Sequence, residues 1–112
     1  MAKSEYDTIF KDLMKRLKSM ARRRFQEVYD HAKADLKEFE QEKKAKMVQL
    51  LEDLHKGDLS KSEFEELMGN HVRLAQMTAI TNAGIALVEI DKFRQAATDL
   101  ISRVVFDKLL KI

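Results

Sequence analysis

The chain has 112 residues, 45% hydrophobic and 36% charged, with no proline and no cysteine. That length suits a single domain, and the missing cysteine excludes disulfides, thiolate nucleophiles and cysteine-based zinc sites. The net charge is +2, so what matters electrostatically is where the charges fall along the chain.

Ala, Leu, Lys, Glu, Met and Gln dominate the composition, and with only three glycines (Gly57, Gly69 and Gly84) little interrupts them. These are the good helix formers, and an all-α fold follows. The first thirteen residues lack the apolar core of a signal peptide. A first helix is expected over about 5–56. Steps of 4, 4 and 3 residues from Tyr6 to Leu54 select fourteen positions, of which thirteen are apolar and Lys43 is the exception. This eleven-residue repeat has a period of about 3.67 residues, so it predicts a nearly straight helix with one long apolar stripe. The stripe reads as core, with the Lys43 stem lying along it and the amine reaching solvent.

The same helix carries a basic segment. Residues 10–24 hold Lys11, Lys15, Arg16, Lys18, Arg22, Arg23 and Arg24 against Asp12 alone. Lys11, Lys15, Lys18 and Arg22 form one row beside the apolar stripe, and such clustered cations suit an anionic partner, nucleic acid or an anionic membrane surface. Two i,i+4 pairs, Asp12 with Arg16 and Arg23 with Glu27, compete for that charge. Further along, Glu27, His31 and Asp35 share a helix face at i, i+4 and i+8. A metal would need further ligands from another helix, and the Glu-x-x-His motif of di-iron bundles is absent; no metal and no cofactor is expected.

The clearest punctuation is HKGDLSKSEFEEL, residues 55–67. Gly57 suits the left-handed position past a helix end. Ser60 and Glu63 have the spacing of a capping box, with Leu59 and Phe64 as its hydrophobic staple. A helix–turn–helix break is therefore expected at 57–60. The stretch also resembles the second half of a calcium-binding loop, but Leu54 and Lys56 occupy positions that would need oxygen ligands.

A second helix is expected over about 61–111. The 4, 4, 3 spacing from Phe64 gives eleven apolar positions in fourteen, and further apolar residues lie off that line. A helix apolar on most of its circumference is a buried helix. Residues 74–88, LAQMTAITNAGIALV, hold no charge at all, yet fifteen residues fall short of the roughly 18–20 that cross a bilayer. Ala75, Ala79, Ala83 and Ala86 form a small-residue ridge with Gly84 beside it, and Asn82 is a candidate register mark. With the turn centred near 58, residue i should face residue 116 − i, which sets Phe39 near Met77 and Phe25 near Asp91.

The expected architecture is a long antiparallel αα-hairpin, each helix on the order of 75 Å long, assembling as a four-helix bundle or larger helical oligomer. Residues 1–112 form one domain. The expected interface between copies is Leu74, Ala75, Thr78, Ala79, Asn82, Ala83, Ile85 and Ala86. With no Gly-rich phosphate loop and no nucleophile elbow, the expected function is non-enzymatic: a cytoplasmic scaffold or adaptor acting through self-association and a protein partner. Binding of nucleic acid or another anionic surface through residues 11–24 is the alternative.

Overall fold

The computed structural model describes residues 3–110, which are almost wholly helical and contain no strand. Five α-helices follow in order: α1 (Lys3–Arg24), α2 (Tyr29–Lys56), α3 (Lys61–Arg73), α4 (Thr78–Asn82) and α5 (Leu87–Val105). A 3₁₀ turn, Gln26–Val28, joins α1 to α2, and a π-helical turn, Phe106–Leu110, extends α5. Residues 111 and 112, where the second helix was expected to end, lie outside the described residues. No helix among the described residues is long and apolar enough to cross a membrane.

The turn at 57–60 is built as its residues dictate. Gly57 takes φ 87°, its N–H donates to the Leu54 carbonyl, and the Asp58 N–H donates to the Asp53 carbonyl at 2.8 Å, which closes α2 with a Schellman motif. The Ser60 hydroxyl accepts from the Glu63 N–H at 3.1 Å, while the Glu63 carboxylate accepts from the Ser60 N–H at 2.9 Å. That reciprocal bond holds the Glu63 carboxyl below its usual range. Replacing Ser60 with alanine should cost about 1 kcal/mol, read as a lower urea midpoint at unchanged slope.

The two long helices are not there. The first breaks at Phe25, whose φ of −123° and ψ of 43° leave the helical region. The second breaks at 74–77 and again at 83–86. A rod of about 75 Å is replaced by a body of 42 × 24 × 22 Å, whose long axis matches the roughly 42 Å that 28 residues of α2 span. The physical reason for the first break is burial. A straight helix cannot cover its own apolar stripe, whereas folding back at 25–28 lets the stripe of α1 close on the stripe of α2. The stripe itself is correct: from Tyr6 to Leu54 nearly every member is buried, with Val28, Lys43 and Leu50 half-buried.

The four longer helices close a ring around the core, with α1 on α2, α2 on α3, α3 on α5 and α5 back on α1. Neighbours run antiparallel. At one end the Tyr6 hydroxyl meets His55 Nδ1 at 3.0 Å, and Phe64 packs edge-on against Phe106. Near the other end, Phe25 and Phe93 pack at a tilt with ring centroids 5.4 Å apart. The expected facing rule therefore survives the extra breaks: Phe93 is two residues from the expected Asp91, and Phe39 and Met77 line the same cavity. Each long helix thus has two helices of the same chain as neighbours.

Candidate functional site

α4 begins at Thr78, and the residue before it, Met77, offers no side-chain cap. The cap comes from 44 residues away in α2. Asp35 Oδ1 accepts the Ala79 N–H at 2.9 Å, and Oδ2 accepts the Ile80 N–H at 2.8 Å. These are the second and third amides of the helix, the groups that a local Asp or Ser cap satisfies, and a carboxylate there also meets the positive end of the helix dipole. Asp35 is 2% exposed. A second clamp comes from α5: Arg94 Nη2 donates to the Ala75 carbonyl at 2.6 Å, and Nη1 donates to Asp91 at 3.0 Å. Residues 74–86 thus form a strap, fixed from α2 on one side and α5 on the other.

The inner side of the strap buries Met77 and Ile80. Beneath it lies a cavity of about 20 Å³, walled by Phe39, Phe93 and Leu36 among others, room for roughly one water. The outer side stays at the surface. Leu74 is 76% exposed, and just past the strap Leu87 and Val88 are 67% and 59% exposed. Within the chain the neutral run 74–88 is therefore two-sided, with Met77 and Ile80 turned to the core and Leu74, Leu87 and Val88 at the surface.

No family model, no curated protein and no solved structure matches this chain. The functional reading therefore rests on the geometry of the strap and of the charged faces.

The expected interface residues divide by depth. Leu74, Thr78, Asn82 and Ala86 are exposed; Ala75, Ala79, Ala83 and Ile85 are half-buried. They do not form one continuous ridge, because Ala75 precedes α4 and Ala86 is the residue before α5. Gly84 is likewise not a point of close helix contact. It takes φ 95° with open space around it, and with Gly84 N–H on the Thr81 carbonyl at 3.0 Å and Ile85 N–H on the Ile80 carbonyl at 3.4 Å it ends α4 as Gly57 ends α2.

The basic segment is only partly available. Arg16 pairs with Asp12 at 2.9 Å, as its spacing predicts, and Lys108 reaches the same carboxylate at 3.0 Å. The Lys108 hydrogen bond, with help from Arg16 and against a desolvation cost, holds the Asp12 carboxyl below its usual range. Lys18 pairs with Glu40 at 3.2 Å, and Arg22 lies over the Tyr29 ring at 5.2 Å. Arg23 reaches back to Ser19 rather than forward to Glu27, because the helix that would align Arg23 with Glu27 stops at Arg24. Lys11, Lys15 and Arg24 are exposed and form no ion pair among the described residues.

The Glu27, His31, Asp35 row is dissolved by the same break. Glu27 falls in the 3₁₀ turn, and both Asp35 oxygens are committed to α4. His71 sits half-buried between helices, and burial, with Lys43 and Lys46 nearby, pushes its imidazole pKa down. Two positioning residues escaped the sequence reading. Asp35 stood among the candidate ligands, although it lies between Ala32 and Phe39 of the apolar stripe, an unusual place for an acid. Arg94, directly after buried Phe93, gave no signal beyond that adjacency.

Proposed function

We propose that this chain is a non-enzymatic cytoplasmic scaffold or adaptor that self-associates through the uncharged outer surface of residues 74–88. The observation that carries the reading is the exposure of Leu74, Leu87 and Val88 in the one long stretch without charge. Three large aliphatics left exposed in one uncharged stretch of chain suit an interaction surface. A two-fold interface also sets each patch against its own copy, so any net charge near the axis would repel itself, and this stretch has none. The anchors on Asp35 and Arg94 support the same reading, since a surface held rigid loses little entropy on docking. Leu74, Thr78, Asn82 and Ala86 are the exposed members that would meet a partner copy.

Light scattering across a size-exclusion peak tests this. A dimer of the 13.0 kDa chain is expected at micromolar concentration, and Leu87→Lys combined with Leu74→Lys should return it to monomer by placing like charges across the axis. Both side chains are already solvent-facing, so the variant keeps its fold. A wild-type monomer throughout that concentration range would overturn the proposal.

A further inference from the structure

We propose that α1 and α2 together form a basic face that binds the phosphate backbone of nucleic acid, with lysines of α2 that the sequence run at 10–24 does not include. On α1, Lys11, Lys15, Lys18 and Arg22 repeat at steps of 4, 3 and 4 residues. On α2, Lys33, Lys37, Glu40 and Lys44 repeat at the same steps. Such steps keep each set on one side of its helix. The ion pair of Lys18 with Glu40 and the stacking of Arg22 over Tyr29 bring the two rows alongside each other. Lys44 lies in the groove that also holds Asp7 of α1.

The sum is one-sided. Lys33, Lys37 and Lys44 are exposed, as are Lys11, Lys15 and Arg22, and five of these six, all but the stacked Arg22, have neither an ion pair nor a ring contact among the described residues. Glu40, the acid within the rows, is already spent on Lys18, and Asp7 and Asp30 stand toward the ends. Asp12, the remaining acid of the basic run, is drawn to the other flank of α1 by Lys108 of the terminal turn.

The choice of nucleic acid over a lipid surface follows from where the apolar groups are. Among the described residues the exposed large hydrophobics are Leu67, Leu74, Leu87 and Val88, none of them on α1 or α2. A helix that rests in a bilayer interface needs apolar side chains to embed, and this face presents cations without them. The α1 row spans about 16 Å at 1.5 Å per residue, along which a DNA duplex presents roughly ten phosphates. Side chains that reach phosphates alone carry no base readout, so binding is expected to be independent of sequence.

The test is fluorescence anisotropy with a mixed-sequence DNA duplex of about 20 base pairs, titrated at salt from about 50 mM to about 200 mM. With about five phosphate contacts the affinity should fall several-hundred-fold over that range. The variant Lys33→Glu, Lys37→Glu, Lys44→Glu should lose binding by at least about thirty-fold and flatten the salt slope. A control of equal charge on other faces, Lys46→Glu, Lys92→Glu, Arg103→Glu, should bind nearly as wild type. Circular dichroism and thermal melting establish that each variant is folded. Equal losses in the two triple variants would reduce the effect to net charge and overturn the proposal. So would absence of DNA binding at low salt, or tighter binding to vesicles of phosphatidylcholine and phosphatidylserine than to the duplex.

Discussion

Replacing Asp35 with alanine will destabilise the protein by about 3 kcal/mol and lower its melting temperature by roughly 12–20 °C. Two losses add. The charge-assisted hydrogen bonds to the Ala79 and Ile80 amides disappear, and the Ile80 amide, in a fully buried residue, is left without a partner and too deep for easy hydration. Alanine supplies neither acceptor nor charge for the start of α4. Asparagine keeps the shape and one acceptor but turns an NH₂ toward an N–H, so Asp35→Asn should recover less than half of the loss. The loss should be concentrated in the strap. Native-state hydrogen exchange should show the Ala79 and Ile80 amides exchanging much faster in Asp35→Asn, with the α1 and α2 amides little changed. A cost below about 1 kcal/mol for Asp35→Ala, or unchanged exchange at those two amides, would show that the strap is held by its apolar contacts alone.

Asp35 also marks the boundary of what sequence could reveal here. Local signals were legible where cause and effect lie within a few residues. Gly57, Ser60 and Glu63 specify the turn that forms, because a left-handed glycine and a capping box are complete within one turn of chain. The eleven-residue stripe was legible as burial, since apolar spacing on a helix reports which face is covered. It could not report what covers it. The stripe passes through Phe25 without a glycine or proline to mark the reversal, so a straight rod and a folded-back pair satisfy the same pattern. Gly84 carried a readable signal, a glycine followed by the apolar Ile85 at the end of a short helix, but the small residues around it suggested close packing instead. The start of α4 was beyond any local reading. Its cap is supplied from α2, and the residues before it, Gln76 and Met77, offer nothing that announces a helix start.

The reversal at Phe25 yields the second large expected effect. Phe25→Ala should cost about 3–4 kcal/mol, the usual loss for emptying a buried aromatic site, because the ring is buried against Phe93 at 5.4 Å. Phe25→Leu keeps apolar bulk and should cost appreciably less. Alanine does more than open a cavity. It is the best helix former, and it would stand between Arg24 and Gln26, themselves favourable in helices, so it lowers the free energy of the unbroken helix that the periodicity of residues 6–54 would permit. The anchor that rewards the break is lost at the same moment. The variant should therefore populate an extended form in which α1 continues into α2 and its stripe seeks a second chain, an exchange of α1 between copies. Urea unfolding reads the stability change. Small-angle scattering reads the extension, as a longest dimension well beyond the 42 Å of the folded body. If Phe25→Ala loses less than about 1 kcal/mol and keeps the compact dimension, the closure of the α1 stripe on the α2 stripe sets the break alone, with Phe25 a passenger at the corner.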